Sequence, residues 1–176
     1  MKATLIEYPV DKDWMEVKRR ALVTVGLKPV KEPTLEWKKS ILDARHSPIR
    51  YLRFSFLLED IPYWVSVHLC RHIHAQPYVR SQRNDRQDQY DRNAARQDAP
   101  VTMIFDVNAE ELITICNKRL CRQTAKETRK LVFMMRDEVL KVCPEFVGQL
   151  VPICERHGKC YEMYPCGKLS LEKNNR

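Results

Sequence analysis

VTMIFDVNAEELITICNKRLC, residues 101–121, changes character half way along its length. Residues 101–107 (VTMIFDV) read as a strand, apolar and flanked by turn formers. Asn108 then stands where a helix N-cap is wanted, and Glu110 and Glu111 place negative charge in the first helical turn. The helix is expected to run to about Cys121, with Leu112, Ile113, Ile115, Cys116 and Leu120 on its inner side.

Working outward, residues 124–141 form a second strong helix, with Leu131, Val132, Met135, Val139 and Leu140 inward and Pro144 as its stop. Upstream, residues 2–8 and 51–58 read as strands. Residues 11–26 read as a helix capped by Asp11, with Met15, Val17, Ala21, Leu22 and Val25 as a rough apolar stripe. A further helix is expected over residues 34–44, broken at His46-Ser47-Pro48 because the residue before proline avoids helical angles. Residues 63–70 are apolar throughout, and periodicity leaves helix and strand open. Residues 80–98, rich in Arg, Asp, Gln and Asn, read as a surface loop or a solvated helix.

At 176 residues, 44% hydrophobic and 31% charged, the chain has globular composition and enough length for a core. Its net charge of +8 favours anionic partners. No apolar run reaches the ~18 residues of a membrane span, and Met1 to Pro9 lacks the apolar core of a signal peptide, so a cytoplasmic protein is expected. Seven cysteines, an odd number without an export signal, argue against a disulfide framework.

The stretch CRHIHAQPYVRSQRND, residues 70–85, gathers Arg71, Arg80 and Arg83 with Ser81. Each guanidinium can present a planar fork to a phosphate, and the serine adds a hydroxyl. Arg96 and Arg119 are further candidates. The stretch can be a solvated surface turn or an anion pocket. Little aromatic interleaving accompanies these charges, so nucleic acid is the less favoured partner.

Arg71-His72-Ile73, seven residues, then Ser81-Gln82-Arg83 resembles the signature of the flavin-dependent thymidylate synthases, the ThyX family. His46-Ser47-Pro48, Phe54-Ser55-Phe56 and Ile61-Pro62 are similar to its upstream landmarks. Ala95-Arg96 before Pro100, Asn108-Ala109 with Arg119, and the segment Gln123 to Arg129 are similar to those downstream. The resemblance spans roughly residues 46–145. It implies an α+β fold, a mostly antiparallel sheet packed with helices, and a homotetramer whose sites draw on several subunits. It also implies reductive methylation of dUMP with FAD, NADPH and methylenetetrahydrofolate, without a cysteine nucleophile. By the same resemblance Arg83, Arg96, Arg119, His68 and Ser81 would hold dUMP. Arg71, His72, Asn108 and Ser47 would face FAD, and Ser81, His46 and His72 would lie at the reacting centre. Several positions depart from the family pattern: Ile73 replaces an arginine, Glu110 an arginine, Thr114 an asparagine and His68 a glutamine. Arg50 stands near the place of an acid, and a segment between Arg83 and Arg96 is largely missing. The nucleotide arginines are kept while flavin positions change.

Cys143, Cys154, His157, Cys160 and Cys166 form a second constellation, close enough in sequence for a tetrahedral zinc site. The chain accordingly divides into residues 1–145, the nucleotide-binding domain, and residues 146–176, a Cys-rich tail that a metal would stabilise. Two other readings stand beside the synthase: a ThyX homologue acting on a pyrimidine nucleotide with another cofactor or none, and a basic nucleic-acid module with a zinc tail.

Overall fold

The computed structural model describes residues 1–83, 85 and 91–169. The elements follow in the order β1 (Lys2–Glu7), α1 (Asp11–Val23), α2 (Leu35–Asp43), β2 (Arg53–Pro62), α3 (Tyr63–Cys70), β3 (Ala75–Val79), β4 (Pro100–Asn108), α4 (Ala109–Arg119), α5 (Lys126–Val142) and α6 (Ile153–His157). Short 3-10 turns at Ser47–Tyr51 and Pro144–Phe146 link them. The four strands form one sheet in the order β1-β2-β4-β3, and every neighbouring pair is antiparallel. The fold is α+β.

β4 fixes the sheet's two faces. Val101, Met103, Phe105 and Val107 are buried, while Ile104 between them is exposed, as the two-residue period of a pleated strand requires. Phe56 pairs with Phe105 and Phe54 with Val107 across the β2–β4 ladder. Fully burying one such phenylalanine contributes about 1.5–3 kcal/mol. α5 packs on β1 and α4, with Leu131, Val132, Met135 and Val139 buried. The core runs on past residue 145: Phe146 meets Phe54 edge-on at 5.3 Å, and Leu150 is 1% exposed.

Three local readings needed tertiary context. α1 ends at Val23, leaving Val25 exposed, and its N-cap is Val10, whose N–H donates to the Asp13 carboxylate at 2.9 Å. The buried positions of α1 are Trp14 and Val17, because the Trp14 indole N–H reaches the buried Glu145 carboxylate at 2.9 Å. Residues 63–70 become α3, which buries Val65 and Leu69 one turn apart. β3 carries Pro77, which cannot donate to a ladder, and is accordingly an edge strand. The described residues of 80–98 are loop and turn. No described helix is long and apolar enough to cross a membrane.

Candidate functional site

α4 carries the centre of the site. Its N-cap is Asn108, whose side-chain oxygen accepts from the Glu111 N–H at 2.9 Å. Glu111 in the first turn is 7% exposed, and Arg119 closes the helix about two turns later. The His72 ring lies between them. Its Nδ1 is 3.0 Å from Glu111 Oε1, and Arg119 Nε donates to its Nε2 at 3.1 Å. Arg119 Nη2 also donates to the His68 carbonyl at 3.2 Å. His68 in turn contacts Thr128 Oγ1 on α5 through Nδ1 at 2.9 Å, so α3, α4 and α5 are tied together here.

These contacts determine the tautomer. A guanidinium N–H only donates, so Nε2 of His72 accepts, and Nδ1 carries the proton that it gives to Glu111. The electrostatics agree. Burial holds His72 below its ordinary range, and the Arg119 and Arg71 cations add to this, against an opposing pull from Glu111. Burial, then Arg119 and Arg71, push His68 down likewise. The part-buried histidine serves as a neutral acceptor for a part-buried cation. Arg119 lines a cavity of about 380 Å³ together with Lys118, His68, Gln123, Thr124 and one acid, Glu162.

A second cavity, about 300 Å³, is lined by Arg50, His74, Asn108, Glu110, Glu111 and Thr114. Arg45 reaches into the same residues. Its Nε and Nη2 form a fork on the Glu110 carboxylate at 3.0 and 2.6 Å, and Nη2 also donates to Thr114 Oγ1 at 3.0 Å. Arg45 ends α2 in the left-handed region at φ 51°, where the Arg45 and His46 N–H groups close back onto Leu42 and Ile41. Glycine is usual at that position, and a side chain there costs about 1–2 kcal/mol. The two departures at Glu110 and Thr114 therefore form one unit with Arg45. Arg45 neutralises Glu110, which leaves Arg50 and His74 without bonded partners among the described residues.

The remaining expected site residues are spread out. Arg83 and Arg96 are exposed, and each forks onto an aspartate two residues on: Arg83 to Asp85, and Arg96 to Asp98. Within one chain they are not gathered around the Arg119 cavity. Ser81 Oγ accepts from the Arg83 N–H at 3.2 Å in the same loop. His46 and Ser47 are exposed at the start of the 3-10 turn before β2. Arg71 is exposed at the end of α3. His72 was expected to face FAD and the reacting base. Both of its ring nitrogens are instead engaged inside the chain, because Glu111 and Arg119 flank it. Glu111 and Arg45 were missed. An acid in a first helical turn reads as a dipole partner, and nothing in its spacing points to a distant histidine.

The five-residue zinc set does not assemble. Cys143 is 1% exposed in the core, and burial with Glu145 nearby pushes its thiol up to about 12, unsuited to the thiolate a metal needs. The His157 ring stacks edge-on against Tyr161. Cys154, Cys160 and Cys166 line one cavity with Cys121, a residue outside the expected set. Among the described residues, no group of three or more His, Cys, Asp or Glu side chains is placed to hold a metal.

Comparison with known proteins adds a family match over part of the chain, and a fold. The family model described as thymidylate synthase complementing protein, Thy1, matches residues 86–145, a third of the chain. No curated protein sequence matches. Among solved structures, thymidylate synthase X from Helicobacter pylori, determined with FAD and dUMP, superposes with a TM-score of 0.68 at 14% identity. That match covers 89% of this chain and 100% of the other. The UMP/dUMP methylase PolB from Streptomyces cacaoi, bound with 5-Br dUMP, superposes with a TM-score of 0.65 at 16% identity. It covers 86% of this chain and 97% of its own. The matched segment holds the whole of β4, α4 and α5 and most of the residues that line the Arg119 cavity, and the solved structures share the fold around it. The chain carries a Thy1-like segment over residues 86–145 and shares its fold with these two solved structures.

Proposed function

We propose that the chain is a ThyX-type methylase of a pyrimidine mononucleotide, converting dUMP to dTMP with methylenetetrahydrofolate as carbon donor and NAD(P)H as reductant. The observation that carries this reading is Arg119. It is the one motif arginine that is part-buried and held by other elements, and Lys118 stands beside it in an open cavity. Two cations at the end of α4 suit a dianionic phosphate, and a fork bonded on one side keeps donors for an anion on the other. His68 lines the same cavity and gives a polar contact for the base or ribose.

The residues of the second cavity fit FAD. Arg50 and His74 are donors without bonded partners among the described residues, Asn108 keeps its amide N–H₂, and Arg45 offsets the Glu110 charge. With Ser47, His46 and Arg71 nearby in sequence, these residues would hold the cofactor's carbonyl-rich and anionic parts. FAD would supply the hydride transfer between NAD(P)H and the nucleotide. The chain's own part is to bind and orient: Arg119 and Lys118 the phosphate, Arg50, His74 and Asn108 the flavin.

Arg83, Arg96 and Ser81 lie on an exposed loop, so in this reading they complete the Arg119 cavity of a neighbouring protomer in a homotetramer. The aspartates that now hold the two arginines are exposed, and surface pairs of that kind are weak, little to overcome for a phosphate.

A second reading keeps the nucleotide and changes the cofactor. It is favoured by Arg45, whose fork fills the positions where family members offer an arginine and an asparagine. Titration of the purified chain with dUMP and UMP, with and without FAD, tests both. The synthase reading expects dUMP binding, a flavin absorbance near 450 nm after FAD loading, and dTMP formation. Nucleotide binding without flavin uptake would favour the second, and preference for oligonucleotides over dUMP would overturn both.

A further inference from the structure

We propose that Glu111 is a positioning residue that acts through His72: it holds the imidazole as the Nδ1–H tautomer, so that Nε2 meets Arg119 and aims the guanidinium into the phosphate cavity. The proposal rests on the functional reading above for the identity of the anion, but the clamp itself is a matter of three side chains.

The geometry requires a carboxylate at this place. Arg119 is anchored on one flank by two contacts, His72 Nε2 at 3.1 Å and the His68 carbonyl at 3.2 Å. The carbonyl is fixed by α3, whereas the imidazole can rotate about its χ2 bond and exchange its two nitrogens. Arg119 can only donate and favours an accepting Nε2, and Glu111 secures that choice from the other side, because its carboxylate accepts and never donates. With Nδ1–H turned to Glu111, Nε2 has a lone pair toward Arg119. With the other tautomer, an N–H would face the Nε–H of arginine and the contact would be lost. Glu111 is itself held: its backbone N–H is bonded to the Asn108 cap, and its side chain is 9% exposed. Glu111 also lines the Arg50 cavity. The charged and titratable groups around His72 are Glu111 and Arg119 from α4 and Arg71 and His68 from α3. Thr128, the α5 residue joined to His68, does not titrate in this range.

The clamp differs in its signature from a carboxylate that merely stabilises a helix start. Glutamine at position 111 keeps an acceptor for Nδ1–H, whereas alanine removes it. Protonation of His72 turns Nε2 into a donor and sets a second cation against Arg119, so anion binding weakens as the pH falls through the His72 titration.

The test uses the full chain, its Glu111→Gln and Glu111→Ala variants, His72→Ala and the double variant Glu111→Ala/His72→Ala. Long-range ¹H–¹⁵N spectra of the ring, assigned by loss of signal in His72→Ala, read the tautomer. Titration with dUMP and with inorganic phosphate at pH 6 and pH 8 reads the consequence. The expected result is Nδ1–H with unprotonated Nε2 at pH 8 in the unaltered chain and in Glu111→Gln. Glu111→Ala should show exchange between tautomers, with dUMP affinity lowered by about tenfold, a contact's worth. Glu111→Gln should recover most of that loss, and the double variant should bind no more weakly than His72→Ala alone, since the two act in series. A protonated Nε2 in the unaltered chain, or an additive double variant, overturns the proposal. If the unaltered chain binds neither dUMP nor phosphate, the functional reading fails, and the clamp is decided by the ring spectra alone.

Discussion

Arg119 and the loop pair Arg83 and Arg96 are the same side chain in the same proposed role, yet the fold treats them differently. Arg119 is bonded to residues 47 and 51 positions away, on a different element, and loses part of its contact with water. Arg83 and Arg96 are bonded to aspartates two residues on and stay exposed. A cation fixed by tertiary contacts has one orientation that a ligand can rely on. A cation paired locally at the surface is held weakly and can turn to another anion. The proposed site thus has a preorganised half built by α3, α4 and α5, and a recruitable half on the loop before β4.

The sharpest way to break this comparison is at the fixed half. Arg119→Ala should lower dUMP affinity at least a hundredfold, since it removes a fork and leaves the neutral His72 without its donor. Arg83→Ala and Arg96→Ala should each lower it by about tenfold, in the assembled oligomer only. If the monomeric chain shows the same loss, the loop serves its own cavity and the two-subunit site is wrong. Analytical ultracentrifugation beside the titration checks this.

The Arg45–Glu110 fork gives the next largest effect, now on stability. Glu110→Ala strands a half-buried guanidinium and should cost about 1–3 kcal/mol in urea unfolding. Arg83→Ala, by contrast, should stay within about 0.5 kcal/mol of the unaltered chain, as surface changes do. Equal losses would mean that the local pairs matter as much as the tertiary ones.

A smaller effect concerns pH. His72 titrates below its ordinary value in the folded chain, so the unfolded chain takes up its proton first. Its contribution to stability is therefore complete above about pH 6.5 and is lost as the pH falls toward the folded value. Unfolding midpoints should fall from pH 7.5 to pH 5.5, and His72→Asn should make that decline shallower. An unchanged slope in the variant would place the buried proton elsewhere.

Much of the fold was legible in the sequence because its strongest elements are locally consistent. In residues 101–121 the strand pattern, the Asn108 cap and the acidic first turn all agree, and the observed β4 and α4 follow them within two residues. α3 was ambiguous since eight nearly uniform apolar residues have no period to read, and β3 was missed because Pro77 argues against a strand unless it lies on an edge. The site was legible only where one residue does the work. Arg119 could be named from its motif, but its clamp could not, because Glu111 and His72 are 39 positions apart and meet only in the fold. The cysteines show the opposite error. Cys143 is near the tail thiols in sequence yet points into the core, whereas Cys121 is distant in sequence and lines their cavity.

The most direct measurement is calorimetric titration of the full chain and of Arg119→Ala with dUMP. Saturable binding by the unaltered chain at one site per protomer, reduced at least a hundredfold in the variant, is the predicted result. Equal affinity in the two proteins would mean that the buried guanidinium serves only the fold, and that the nucleotide, if bound, lies elsewhere.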